Sequence, residues 1–488
     1  MVEHENKQLK IPDDFKLLDG EKIYKFHSFK FNPSILRPSS LNEIYRLTDA
    51  ANEKEVGTNG PAIAALSSEL HSIRHANQGL YSVIFGRDSL RVAIDLVSHY
   101  PKLAKVTIQK LAELQGTTHD DAREEEPGRI PHEVRLATDP IAIRLTKERG
   151  WGWPYYGSVD ATPEFIRTLS AYCKLSEENI NFLSQQYVDR DGNNRTIAEA
   201  LINAVDWMLK RMNNNPQGLL EYKSVLEHGI ENQVWKDSWD AYHHSDGAIA
   251  NHEQGVAAIE VQTVSHDALL DAADLYDTAI ISKCEEATLL RQKAKSLAKN
   301  IIDIFWTDDK GGYFVIGTDR DNDGKLRQLK IRTSNMGHVF NSRVLDSEEY
   351  ADKRLAVLNQ LKSPEMLSVS GIRTLASDEV RYREGAYHNG SVWIWDTHHI
   401  AKGARRYANN PEFEAFANDL DDRIINVVNS IGEFPEYVRG GDSITVNTRI
   451  IDVYDNKANR INRVEQPPQE VQAWTVAAIL ATKWRNNR

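Results

Sequence analysis

At 488 residues with a net charge of −12 and a pI near 5.8, the chain lacks the basic excess that nucleic-acid or anionic-membrane binding requires. Its length exceeds that of a usual single core, so two domains or one closed ring of helices is expected. No run reaches the ~18 apolar residues of a membrane span, the first ten residues (MVEHENKQLK) hold no apolar signal segment, and Cys173 and Cys284 read as buried free thiols, so a cytoplasmic protein is expected.

Helical periodicity dominates the chain. Phe85-Gly86-Arg87-Asp88-Ser89-Leu90 opens an apolar helix and puts a guanidinium beside a carboxylate at its start. Such a pair can grip vicinal hydroxyls, with Arg donating and Asp accepting; Asp88 as a plain helix cap is the alternative. A long connection, Asp120 to Gly157, follows. It contains Glu125-Glu126-Pro127-Gly128-Arg129-Ile130-Pro131-His132-Glu133 and then Trp151-Gly152-Trp153-Pro154-Tyr155-Tyr156-Gly157-Ser158-Val159-Asp160. Aromatics crowded into a Gly- and Pro-broken loop suit a ligand platform, with Trp153, Tyr156 and Asp160 as candidates. Thr196 and Glu199 form a capping box ahead of Ile197, Leu201, Ala204, Val205 and Met208, which share one helical face.

The next long connection, Glu231 to Gly255, carries Trp235-Lys236-Asp237-Ser238-Trp239-Asp240. An apolar flank raises a carboxyl pKa by desolvation, as a general acid at neutral pH needs. Asp240 and Asp246 compete with Asp237 for that role. Leu290, Ala294, Leu297, Ile301 and Ile304 mark a further helix. The β-rich run Tyr313 to Thr318, between Gly311-Gly312 and Asn322-Asp323-Gly324, predicts a small hairpin. Asp319 to Gly324 resembles the start of a calcium loop, but Lys330 stands where the bidentate Glu belongs, so a hairpin turn is expected. His243-His244 and His398-His399 lack metal-site spacing and read as core or hydrogen-bonding histidines; no metal or cofactor is expected.

Tyr387-His388-Asn389-Gly390-Ser391-Val392-Trp393 sets aromatic and amide groups together. After a helix marked by Phe413, Phe416, Leu420, Ile424 and Val427, the long connection Ile431 to Pro468 places Glu436 behind Pro435. Aromatic faces cover the apolar side of a pyranose, and amides and carboxylates fork onto its hydroxyls. A helix from Val471 closes the chain. Helices alternating with long and short loops suit two concentric layers with one set of loops gathered at one mouth, and the long loops are the expected seat of function.

Taken in order, IFGRDSL (84–90), EEPGRIPHEVR (125–135), YYGSVDATPEF (155–165), SNMGH (334–338), GIRTLAS (371–377), YHNGSVW (387–393), FPE (434–436) and VQAW (471–474) resemble the amylo-α-1,6-glucosidase domain of glycogen debranching enzymes. The resemblance implies an all-α (α/α)6 toroid decorated by a small β-hairpin. Residues 61–488 would form the catalytic domain, and 1–60 an N-terminal extension packed on it. It also implies inverting, exo-acting release of terminal glucose from an α-glucoside, with Asp237 as general acid, Glu436 as general base and Arg87 and Asp88 gripping the non-reducing sugar. Trp235, Tyr387, His388, Asn389 and Trp393 join Trp153, Tyr156 and Asp160 as expected sugar contacts, and Trp151 is expected to line the pocket with the other tryptophans. Two departures, Trp393-Ile394 in place of Trp-Pro and Phe434-Pro435-Glu436-Tyr437-Val438 in place of Leu-Pro-Glu-Leu-Phe, make a glucosylated small solute such as glucosylglycerate the alternative substrate. An epimerase using His388 and His398, or a non-catalytic glycan binder, are the rivals on the same toroid. The expected partner is a carbohydrate, with the chain a monomer or homo-oligomer.

Overall fold

The computed structural model describes residues 60–66, 81–446, 449–455, 460–466 and 468–486. The expected N-terminal extension therefore lies outside the described residues, apart from Gly60. In chain order the helices are α1 (Gly86–Leu96), α2 (Pro101–Glu113), α3 (Pro140–Arg149), α4 (Ala161–Leu175), α5 (Ile197–Asn213) and α6 (Ile259–Tyr276). They continue as α7 (Cys284–Phe305), the short α8 (Asn335–His338), α9 (Ala351–Lys362), α10 (Ile394–Ala404), α11 (Pro411–Ile431) and α12 (Ala473–Asn486).

Packing closes a ring. α1 lies against α4, α4 against α6, α6 against α8, α8 against α10, α10 against α12, and α12 returns to α1. Outside it, α2, α5, α7, α9 and α11 each back an inner neighbour. The fold is an (α/α)6 toroid. Burial separates the two layers. In α6, 16 of 18 residues are buried, including Glu260, Gln262, His266 and Asp267. In α7 only Ala287, Leu290, Ala294, Leu297, Ile301 and Phe305 are. An inner helix touches neighbours on all sides, so its polar residues must find partners inside the ring. An outer helix needs only one apolar stripe.

Several of the chain's motif residues fall at the N-terminal ends of the inner helices. Arg87 and Asp88 sit in the first turn of α1, Asp160 at the N-cap position of α4, and Trp393 at that of α10. Unpaired N–H groups and the positive ends of the helix dipoles gather there, which suits a cluster of carboxylates. Short β pairs tie the loops of this mouth: Ile84–Phe85 with Glu133–Val134, Ala65–Leu66 with Val471–Gln472, and the bridge Val392 to Val438. Two glycines permit close backbone approach. A Cβ at Gly86 would stand 2.0 Å from the Pro131 carbonyl oxygen; at Gly390, with φ of 149°, it would stand 2.1 Å from that of Arg383.

Several local expectations change. The hairpin is shifted: Gly317–Arg320 pairs with Leu326–Leu329, while Tyr313–Phe314 pairs with Trp306–Thr307. Asp321 makes the hairpin turn expected of Asp319 to Gly324 by accepting from Asp323 and Lys325 N–H groups. The connection Asp120 to Gly157 contains α3, of which only Ala142 is buried, and Ile431 to Pro468 contains a second hairpin, Arg449–Asp455 with Arg460–Gln466. Cys173 is buried but Cys284 is exposed, at the start of the outer helix α7. Among the described residues, no helix is long and apolar enough to cross a membrane.

Candidate active site

Arg87 is the hub. Its Nη1 donates to Asp160 Oδ2 at 3.3 Å, its Nε lies 3.6 Å from Asp88 Oδ2, and its Nη2 lies 3.8 Å from Asp237 Oδ2. Arg87, Asp88 and Asp160 are buried, while the Asp237 side chain stays 34% exposed, the most exposed of the four. Asp88 is not a helix cap, for the residue at that position is Phe85. Burial pushes the Asp88 carboxyl up to about 7, against the pull of Arg87 and with the help of the charges on Asp237, Asp160 and Glu436. Asp88 therefore lies within electrostatic reach of both expected catalytic carboxylates, which are 199 positions apart in sequence (436 − 237).

Glu436 is buried and held at both oxygens. The Tyr387 hydroxyl donates to Oε1 at 2.5 Å and the Gln469 N–H donates to Oε2 at 3.1 Å. Asp246 is an exposed turn residue accepting from the Ala248 N–H, and the Asp240 backbone carbonyl accepts from Asn389.

The segment from Tyr387 to Asn389 bridges the two carboxylate loops. Tyr387 reaches Glu436, the His388 Nδ1 accepts from the Ser238 N–H at 3.3 Å, and the Asn389 amide donates to the Asp240 carbonyl at 3.0 Å. Beneath it lies an aromatic cluster. Trp235 meets His388, Trp393 and Trp395 edge-on, and Trp393 stacks on His388 and meets Trp474. Trp235 and Trp393 are 2% and 1% exposed, leaving almost no indole face for a sugar. They support the loops that carry the site.

The aromatic loop 151–157 divides. Trp151 is buried and stacks on Tyr155 at 4.1 Å. Trp153 is half-buried, donates to Thr146 Oγ1 in α3 and lies against the Arg135 guanidinium. Tyr156 points away from the Arg87 cluster: its hydroxyl donates to the Leu114 carbonyl and accepts from Arg190.

Three buried residues add to the site. Glu133, paired with Arg135, feels the charge of Asp237, and burial pushes its carboxyl up to about 7. His132 beside it is driven well below the usual histidine range by burial and by Arg87 and Arg129, so it is neutral. Both belong to the proline-rich loop that stands out in the sequence, where nothing identifies their partners. Lys236, completely buried between Trp235 and Asp237, does not stand out there; two flanking tryptophans are the only signal of its burial. His398 binds Thr482 of α12, and His399 lies against Arg91 and His338. Among the described residues, no group of three His, Cys, Asp or Glu could hold a metal ion.

The model of the mannosylglycerate hydrolase MGH1-like glycoside hydrolase domain matches residues 39–440, which include Arg87, Asp237 and Glu436. The chain belongs to this family. It is therefore a glycoside hydrolase, of a family related to the amylo-glucosidases rather than a shown debranching enzyme. Solved structures agree in fold. The mannosylglycerate hydrolase of Thermus thermophilus in complex with Tris is 13% identical, with a TM-score of 0.57 over 92% of this chain and 100% of that one. The same enzyme with Tris and D-glycerate gives 12% and 0.57 over 91% and 100%, and with glucose 12% and 0.56 over 92% and 99%. No curated protein sequence matches.

Proposed function

We propose that the protein is an inverting, exo-acting hydrolase of small α-glycosides, in which one hexose is joined to a small polar aglycone of the glycerate type. Asp237 protonates the leaving oxygen and Glu436 deprotonates the attacking water from the opposite face of the sugar. The observation that carries this reading is the Arg87 hub, which gathers Asp88, Asp160 and Asp237 at one mouth within electrostatic reach of Glu436. Of these carboxyls, Asp88 is pushed up to about 7, chiefly by burial. The buried Arg87, Asp88 and Asp160 supply donors and acceptors for the hydroxyls of one terminal sugar, which supports exo action. The family membership and the glycerate and glucose complexes of the similar Thermus enzyme support a hexosyl-glycerate over a glycogen branch. The epimerase reading loses its histidine pair, since His388 binds Ser238 while His398 binds α12.

The test is hexose release from glucosylglycerate, mannosylglycerate, isomaltose and a limit dextrin, with the anomer of the first product followed by NMR. A β-anomer from an α-linked hexosyl-glycerate is expected. Release of glucose from the limit dextrin alone would favour the debranching reading, and an α-anomer would refute inversion. Asp237→Asn and Glu436→Gln should each lower kcat at least ~100-fold with the fold intact. Near-normal turnover in either removes that residue from the mechanism.

A further inference from the structure

Lys236 lies next to Asp237 and its side chain is completely buried. A buried ammonium is costly to keep unless it is paired and hydrogen-bonded. Here its Nζ donates to the Thr374 backbone carbonyl at 2.6 Å and stands 5.0 Å from the Trp235 ring. The anions that face it are Asp396 of α10 and Glu260 of α6. Asp396 is itself tied to His338 at 2.5 Å and Glu260 to the Tyr242 hydroxyl at 2.6 Å. Burial pushes Lys236 down to about 8 and the two carboxylates oppose this, so the charge is largely retained at neutral pH.

Its anchor is not an arbitrary carbonyl. Thr374 also donates through Oγ1 to the Ser391 carbonyl and accepts there from the Gly390 N–H, both at 3.0 Å. The Gly390–Ser391 turn follows Tyr387, which holds Glu436. One residue, Thr374, is thus gripped from the Asp237 side by Lys236 and grips in turn the segment that holds Glu436. A neutral apolar side chain would fill the same space without the desolvation cost. The placement of the charge, one residue before the proposed acid and bound to the residue that orders the base's segment, asks for a functional reason.

We infer that Lys236 is a positioning residue for the glycosidase reaction: its ammonium, anchored on the Thr374 carbonyl, fixes the Asp237 carboxyl where it can reach the leaving oxygen. The inference rests on the proposed role of Asp237 as general acid. It predicts a selective defect, in leaving-group protonation rather than in sugar binding or water activation.

The test compares two substrates of wild-type enzyme, Lys236→Met, Lys236→Arg and Asp237→Asn. One is an alkyl α-glycoside, whose leaving oxygen needs a proton. The other is the α-glycosyl fluoride of the same hexose, whose fluoride depends far less on the acid. Lys236→Met should lower kcat on the alkyl glycoside at least ~30-fold, less than the ~100-fold or more that losing the proton donor itself costs. KM should stay within about threefold, as expected where only a transition-state interaction is lost. Loss on the fluoride should be less than about threefold, and Lys236→Arg should recover part of the alkyl-glycoside rate. Equal loss on both substrates, or no loss on either, overturns the inference. Asp237→Asn is the control for the underlying reading: if it shows no such split, Asp237 is not the acid, and the failure belongs to that assignment. If Lys236→Met does not fold by circular dichroism, Lys236→Gln, which keeps a neutral donor, carries the same comparison. A wild-type enzyme that cleaves neither substrate refutes the site reading and this inference with it.

Discussion

Tyr387 illustrates what a single side chain can do at this mouth. Its hydroxyl orders Glu436, while its ring packs 4.8 Å from Trp393 and 5.3 Å from Tyr437. Tyr387→Phe keeps the ring contacts and removes one donor to a buried carboxylate. A loss of ~10-fold in kcat is expected, with Tm shifted by no more than a few degrees, because a charge-assisted bond contributes ~1.5–3 kcal/mol. Steady-state kinetics and a thermal melt check both halves. The sequence singles out Asp237 between tryptophans, Glu436 behind Pro435 and Arg87 beside Asp88, and the structure sets Arg87 beside both Asp88 and Asp237. Tyr156 shows where such reading stops. Its place depends on Leu114 and Arg190, 42 and 34 positions away, and nothing within the aromatic loop distinguishes it from a sugar-facing tyrosine. The tryptophans mislead in the same way, since crowding in a loop marks aromatic packing as well as ligand stacking.

At the scale of elements, the 3.6-residue period locates the outer helices well, because one face of each is wet. The stripe Leu290, Ala294, Leu297, Ile301 is the buried face of α7. Inner helices carry a weaker pattern, as α6 is buried nearly all round and its Glu260, His266 and Asp267 are partnered inside the ring. Short α8, only Asn335–His338, has too few residues to show any period. The hairpin lies a few residues later than its β-formers suggest, because Tyr313 and Phe314 pair with Trp306 and Thr307, just after α7, and not across the turn. Caps are more local and so more legible. The Thr196 and Glu199 capping box is present, with the Thr196 N–H donating to Glu199 at 2.7 Å. Thr196→Ala should cost ~1 kcal/mol of unfolding free energy without changing kcat, since α5 lies in the outer layer. Urea denaturation alongside an activity assay tests this; a change in kcat would mean that the outer layer reaches the site.

The toroid as a whole buries carboxylates and an ammonium at one mouth, and this has a pH signature. Asp88 and Glu133 are raised from 3.8 and 4.5 to about 7, chiefly by burial. Between about pH 4 and 7 the native state therefore binds more protons than the unfolded chain, and stability falls as pH rises through that window. Lys236 is lowered from 10.5 to about 8, again by burial. Between about pH 8 and 10.5 the unfolded chain binds the extra proton, so this contribution rises with pH. The three groups together predict a stability minimum between about pH 7 and 8. Each raised carboxyl accounts for up to ~4 kcal/mol across its window. General repulsion in a chain of net charge −12 slopes the same way above the pI, so the wild-type curve alone does not decide the matter. Glu133→Gln does: it mimics the protonated carboxyl at every pH, and should flatten the fall between about pH 5 and 7 relative to wild type. Urea unfolding at several pH values across that window and just above it measures the difference. Parallel curves for the two proteins would show that Glu133 stays ionised against Arg135 in the folded state, and that the mouth tolerates its full charge beside Asp237.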